Sequence, residues 1–179
     1  MILLVGASAS GKTEVAKLLK RKYGVKKVVT HTTRPMRVGE TDHVDYHFVD
    51  KDTFMRLRKD DYFVETTNYN GNFYGTSRKE IADDKVLIVD PNGLKAFQKL
   101  ADPRIITFYM DASETTRLNR MIYRGDPLEA AKARIENDHV DFSSEKVAPT
   151  HFVIDTEKFT IEQVTDLVYD KYITKLNQL

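Results

Sequence analysis

Cysteine is absent from the 179 residues, which excludes a disulfide framework and a thiolate metal site and fits a reducing compartment. Long apolar runs are missing as well, since none approaches the roughly 18 residues a spanning helix needs, and no membrane association is expected. The opening "MILLVGASAS" has no basic start and is too short for a signal peptide, so the expected location is the cytoplasm. No repeat, low-complexity tract or linker breaks the chain, whose length suits one domain. A domain-wide basic surplus is lacking too: the net charge is +1, which argues against nucleic acid as a partner.

What the sequence does contain is an alternation of short β-like runs with helix-like segments, the pattern of an α/β protein with a largely parallel sheet. Strands are expected at Ile2–Val5, Val28–Thr30, Tyr46–Val49, Tyr62–Glu65, Val86–Asp90, Ile105–Met110 and Phe152–Asp155. Val15, Leu18 and Leu19 share a helical face after the first strand, and Phe54–Leu57 and Leu94–Leu100 suggest later helices. Asp111 with Glu114, and Thr160 with Gln163, fit capping boxes that open two more. From Gly39 to Thr76 the texture changes to Tyr, Asp, Asn and Thr, with "NYNGNFYG" reading as tight turns between antiparallel strands. That stretch reads as a polar insert in the parallel core.

"GASASGKT", comprising Gly6, Ala7, Ser8, Ala9, Ser10, Gly11, Lys12 and Thr13, matches G-x-x-x-x-G-K-[ST] between an apolar strand and a helical pattern. Small residues there let backbone N–H groups curl around phosphate oxygens at a helix N-terminus; Lys12 adds a point charge, and the Thr13 hydroxyl can ligate Mg²⁺. Ala9 stands where many such loops have glycine. Asp90, at the end of "VLIV", is the candidate second metal ligand, although "DPNG" is equally a turn signal that an aspartate caps.

Between Lys12 and Arg37 there are nine Lys or Arg against one acid, Glu14; most lie on a solvated helix face, but Arg34 and Arg37 do not. In "HTTRPMRVGE" these two flank Pro35 with nothing obvious to neutralise them, and two guanidinium forks so held suit a second phosphate. Tyr46 and Tyr74 can add hydroxyl donors, with core packing as the plainer reading.

Together, "HTTRPMRVGETDHVDYHFV", "NGNFYGTS" and the "GASASGKT" loop resemble guanylate kinase in order and spacing over most of residues 1–95, and less closely beyond. The resemblance implies a P-loop NTPase-type parallel sheet flanked by helices (core about 1–30, 77–110 and 145–179), an inserted small mixed β/α GMP-binding subdomain at about 31–76 and a helical lid at about 111–144. It implies Mg²⁺ as cofactor, ATP as phosphoryl donor and GMP or dGMP as acceptor. Arg34, Arg37, Tyr46 and Tyr74 would grip the GMP phosphate. Glu65 and Thr76 would read guanine, because a carboxylate can accept from N1–H and the exocyclic NH₂ while a hydroxyl donates to O6. Thr30 would lie near the base, and Asp90 would serve both base and metal.

The resemblance also implies lid arginines acting with Lys12 on the transferred group, and Arg120, Arg124 and Arg134 are the candidates. Arg117, Arg120 and Arg124 share one helical face, for which surface salt bridges are the alternative. Departures from the family are Ile88 for the first acid of a paired acid-x-acid strand, His43 for glycine, Thr66 for tryptophan and Asp155 for asparagine near the adenine. They leave room for a sister nucleoside monophosphate kinase with another base pocket. A non-catalytic phosphopeptide-binding module of the same fold is opposed by the intact Gly11-Lys12-Thr13. The five histidines show no paired metal-ligand spacing and are assigned no chemistry.

Overall fold

Apolar residues at every position of Ile2–Val5 need cover on both faces, and the fold supplies it. The computed structural model describes residues 1–179. In chain order its elements are β1 (Ile2–Val5), α1 (Lys12–Tyr23), β2 (Lys26–Lys27), β3 (His31–Thr32), β4 (His47–Phe48), α2 (Lys51–Lys59), β5 (Phe63–Tyr69), β6 (Asn72–Ser77), β7 (Lys85–Ile88), α3 (Pro91–Gln98), β8 (Ile106–Asp111), α4 (Glu114–Tyr123), α5 (Leu128–Asp141), β9 (Phe152–Asp155) and α6 (Ile161–Leu176). Five strands form a parallel sheet in the order β2-β7-β1-β8-β9. Alternate residues of the central strand β1 point to opposite faces. Ile2 and Leu4 pack with Val15 and Leu19 of α1 and Val164 and Val168 of α6, whereas Leu3 and Val5 pack with Leu94 and Phe97 of α3. Each such side chain contributes about 1.5–3 kcal/mol by burial. The result is a rigid platform whose C-terminal edge carries the loop after β1.

A second sheet, in the order β4-β3-β6-β5, holds the polar middle of the chain. Its β5–β6 hairpin turns on Asn70 and Gly71, both at positive φ (49° and 77°), as a two-residue loop with the strands' own twist requires. Phe63 stacks on Phe54 of α2 at 4.7 Å, and a Cβ on Gly75 would stand 2.9 Å from the Phe63 ring, so that position admits only glycine without a shift. A bulge between Phe63 and Glu65 then sets Glu65 directly opposite Thr76.

Two local expectations are corrected. The strand placed at Val28–Thr30 is a crossing: Val28 N–H still bonds Val86 O at 3.0 Å, but the chain then leaves the parallel sheet and starts β3 at His31. The helix expected to open at Asp111 is capped by Ser113, whose Oγ accepts from Thr116 N–H at 3.2 Å. Asp111 is still paired with Asp155 across β8 and β9, so the backbone is extended where a cap would be needed. The Thr160 and Gln163 capping box stands as read from the sequence. No helix is long and apolar enough to cross a membrane.

Candidate functional site

Gly6 through Thr13 wrap from the end of β1 into α1. A Cβ on Gly6 would lie 2.4 Å from Met110 O, so only glycine passes this close to β8, and Gly11 sits at φ 98° as the helix N-cap. Ala9 also adopts a left-handed conformation, at φ 60°, a strained choice for a residue with a Cβ. Lys12 folds back over the loop, donating to Gly6 O at 2.5 Å, Ala7 O at 2.8 Å and Ser10 Oγ at 3.3 Å. Burial pulls the Lys12 pKa down to about 8, with the Asp138 charge opposing and the Arg117 charge reinforcing that shift. A half-buried ammonium satisfied only by neutral oxygens is a site prepared for an anion.

In front of the loop lies a cavity of about 770 Å³. Ala9, Ser10, Gly11, Lys12 and Thr13 form its floor, Asn119, Arg120, Tyr123 and Arg124 of α4 one wall, and Thr156, Phe159 and Ile161 the other. Arg120 is fixed here by bonds to Ala9 O at 3.2 Å, Thr156 Oγ1 at 3.1 Å and Thr156 O at 2.9 Å. Arg124 lines the same cavity while bonding both oxygens of Asp126 at 2.9 and 2.6 Å. Arg134 does not reach it; the side chain is exposed, with its guanidinium 3.8 Å from Asp126. Arg117 departs furthest from a surface face: it is buried, donating to Asp138 Oδ2 at 2.9 Å. Asp155 turns away, pairing with Lys158 at 3.2 Å, and its neighbour Thr156 faces the cavity instead.

The second anion site is carried by the small sheet and the loop after β3. Arg34 is not unneutralised, which corrects the reading of "HTTRPMRVGE". Glu40, at the far end of that stretch, receives both its terminal nitrogens at 3.1 and 2.7 Å and also takes Arg37 N–H at 2.7 Å. The turn between them brings the ends together, which spacing alone does not disclose. Hydrogen bonds, first from the Arg34 side chain and then from the Arg37 backbone, hold the Glu40 carboxyl below the usual carboxylate range. The Arg34 guanidinium lies 5.4 Å from the centre of the Tyr46 ring, and the Tyr46 and Tyr74 rings are 6.0 Å apart. The Arg37 side chain is exposed. His43, where the family has glycine, takes the glycine-like φ of 62°. Its Nδ1 lies 2.7 Å from His47 Nδ1, yet no three metal-ligating side chains converge anywhere in the chain.

Glu65 and Thr76 meet as cross-strand partners, the Thr76 hydroxyl donating to Glu65 Oε1 at 2.8 Å. Burial raises the Glu65 pKa; the Thr76 bond opposes this, and the nearby Asp90 charge adds to it. Asp90 thus faces the Glu65 side rather than the cavity at Thr13. One of its oxygens caps α3 by accepting Gly93 N–H at 2.7 Å, so the turn-capping alternative is realised and the second oxygen is left for other partners. Thr30 is half-buried at the crossing between the sheets, its carbonyl accepting His47 N–H at 2.9 Å. Tyr123 and Phe159 were missed by the sequence reading, although Tyr123 stands one helical turn from Asn119 and directly before Arg124. Glu40 lies within the arginine stretch but six residues from Arg34, and Asp138 belongs to no local motif; only the folded chain sets each beside its arginine.

A parallel sheet whose first strand runs into a lysine-bearing phosphate loop and helix defines a P-loop nucleotide-binding protein. The family model for guanylate kinase matches residues 1–168, well past the 95 or so over which the motifs are recognisable by eye. A guanylate kinase from Chromohalobacter salexigens is 32% identical, with 94% of this chain and 82% of that protein covered. One from Thermus thermophilus is 33% identical over 78% of this chain and 70% of its own length. The crystal structure of guanylate kinase from Anaplasma phagocytophilum superposes with a TM-score of 0.62 at 25% identity, over 98% of this chain and 85% of that one. The chain belongs to the guanylate kinase family.

Proposed function

We propose that the protein transfers the γ-phosphoryl group of ATP to the phosphate of GMP or dGMP, in the cytoplasm, giving ADP and GDP or dGDP. The observation that carries this reading is the half-buried Glu65 carboxylate, bonded to buried Thr76 on the same small sheet that brings Tyr74 and Tyr46 to Arg34. A carboxylate and a hydroxyl suit the guanine edge, and a guanidinium flanked by phenols suits its phosphate. Family membership supports both assignments.

An oxygen of the acceptor phosphate attacks the γ-phosphorus, and the bond to the β–γ bridging oxygen breaks to release ADP. Both reactants are anions, so the protein's task is to bring them together and spread the charge. Lys12 and the loop N–H groups hold the donor phosphates; Arg120 and Arg124 face the migrating group, and Arg34, Arg37, Tyr46 and Tyr74 hold the acceptor. Arg134, exposed and 3.8 Å from Asp126, is the remaining lid candidate for the transferred group. No side chain need act as base, because the acceptor phosphate is already ionised near pH 7.

The Thr13 hydroxyl, at the cavity, is a hard donor of the kind Mg²⁺ takes and would hold the ion with water and phosphate oxygens, whereas Asp90, capping α3 and facing Glu65, would serve the acceptor's side. When bound, the ion supplies charge neutralisation on the β- and γ-oxygens. Closure of the small sheet toward the core excludes water that would compete as acceptor.

A coupled ADP-release assay with Mg-ATP and GMP, dGMP, AMP, dTMP, CMP and UMP tests the reading. Turnover confined to the guanine nucleotides is expected; preference for another base removes Glu65 and Thr76 from their role, and binding without turnover removes the catalytic one. Arg34→Ala is expected to lower kcat/KM for GMP by roughly tenfold or more with the ATP KM unchanged, since it deletes a charge-assisted contact and strands Glu40. Equal GMP kinetics in the variant would dismiss Arg34 as the phosphate ligand.

A further inference from the structure

Ala9 is held in a backbone region that a residue with a Cβ avoids by roughly five- to thirtyfold in population, and it stands in the phosphate loop itself. The residues that surround it explain how. Asp138 of α5 accepts Ser8 N–H on Oδ2 at 2.9 Å and Ser8 Oγ on Oδ1 at 3.3 Å. Arg117 of α4 binds the same Oδ2 at 2.9 Å and reaches Ser8 O at 3.4 Å, while its Nε donates to Ala112 O at 3.2 Å. Arg120 adds a bond to Ala9 O at 3.2 Å. Thus both backbone polar groups of Ser8 and the carbonyl of Ala9 are taken by charged groups from the helical pair.

The clamp acts from behind the loop. Neither Arg117 nor Asp138 lines the nucleotide cavity; both line a separate space of about 190 Å³ with Ala7 and Tyr109. Asp138 thus takes the Ser8 N–H from the side of the loop away from the nucleotide cavity. The Arg117 and Asp138 side chains are only 7% and 10% exposed, so the pair is desolvated, and a desolvated ion pair is poorly explained as a device for stability alone. Its geometry, converging on one peptide unit, suits the imposing of a conformation.

We propose that Asp138, through Arg117 and Ser8, is a positioning residue for the ATP phosphates: it clamps the loop so that Ala9 takes the left-handed conformation that glycine would adopt unaided. The role rests on the reading of this loop as the ATP site. It also ties the helical pair to the loop, so that α4 delivers Arg120 and Arg124 in fixed register with the donor phosphates.

Isothermal titration of ATP and, separately, of GMP tests this in the full chain, Asp138→Ala, Asp138→Asn, Ala9→Gly and the Asp138→Ala/Ala9→Gly pair, with thermal melting of each. Asp138→Ala is expected to weaken ATP about tenfold and GMP less than twofold, and Ala9→Gly in that background to recover at least threefold of the loss, because glycine needs no clamp. Asp138→Asn keeps an oxygen for Ser8 N–H and should lose about threefold; it carries the test, again with Ala9→Gly, should Asp138→Ala not fold. ATP binding unchanged in the aspartate variants, equal weakening of ATP and GMP, or no recovery with Ala9→Gly would overturn the proposal. Failure of the unmodified chain to bind ATP is a different result, which removes the proposed activity and the positioning role with it.

Discussion

Lys12→Ala is expected to lower kcat by about 10²- to 10³-fold, the scale seen when one donor to a developing anion is removed from a water-excluded site. Nothing nearby takes its place between Gly6 O and Ala7 O, since Arg117 is spent on Asp138 behind the loop and Arg120 and Arg124 stand on the opposite, α4 side of the cavity. Lys12→Arg should fare little better, because the ammonium fits between Gly6 O and Ala7 O at 2.5 and 2.8 Å and a planar fork does not. The pH dependence gives a second readout. Burial places the Lys12 pKa near 8, below the 10.5 of a free lysine, and triphosphate binding must raise it. ATP affinity is therefore full below about 8 and declines as pH rises through that value, with proton uptake on binding. For stability the sign is opposite: folding carries the cost of a half-buried ammonium below about 8 and is relieved of it as pH approaches 10.5. Lys12→Ala should melt no lower than the parent, which separates lost catalysis from lost fold. A pH-independent ATP KM in the parent between pH 7 and 10 would contradict the assignment.

Glu65→Gln is expected to lower kcat/KM for GMP by roughly 10²- to 10³-fold, with the ATP KM unchanged. The amide keeps one acceptor oxygen but sets an NH₂ against the donor edge of guanine, stranding a buried donor and losing a charge-assisted bond. Selectivity over AMP should fall with it. Guanine binding also requires the ionised carboxylate, whose pKa burial raises first and the Asp90 charge raises further against the Thr76 bond. GMP affinity is accordingly present above that raised pKa and lost as pH falls through it, giving an acid limb at higher pH than an ordinary carboxylate near 4.3 would give. Loss of this limb in Glu65→Gln, followed as the GMP KM from pH 8 downward, is the expected result. An unaltered limb would assign it to another group.

Local features proved legible because their causes are local. The phosphate loop needs eight consecutive residues with glycine where β8 passes within 2.4 Å of a notional Cβ; the hairpin needs Asn70 and Gly71 at positive φ, and the last helix needs Thr160 and Gln163 to cap each other. In each case the chemistry and the geometry lie within a few residues. Asp111 shows where that reasoning ends. Its spacing to Glu114 is that of a capping box, but pairing with Asp155, 44 residues away, keeps it in the strand and passes the cap to Ser113. Tertiary hydrogen bonds outweighed a local preference of about 1 kcal/mol.

By itself the sequence determined the alternating α/β pattern, the phosphate loop, and the residue types that can grip a second phosphate and a guanine edge. Only the tertiary structure decided which charges are already spoken for. Arg34 is bound by Glu40, Arg117 is buried against Asp138 and Arg124 shares Asp126 with Arg134, whereas Arg120 alone bridges the loop and the far wall of the cavity. The five arginines are alike as letters. What separates them is the carboxylate or carbonyl the fold sets beside each, because the electrostatic worth of a charge depends on distance and burial, and those are properties of the folded chain.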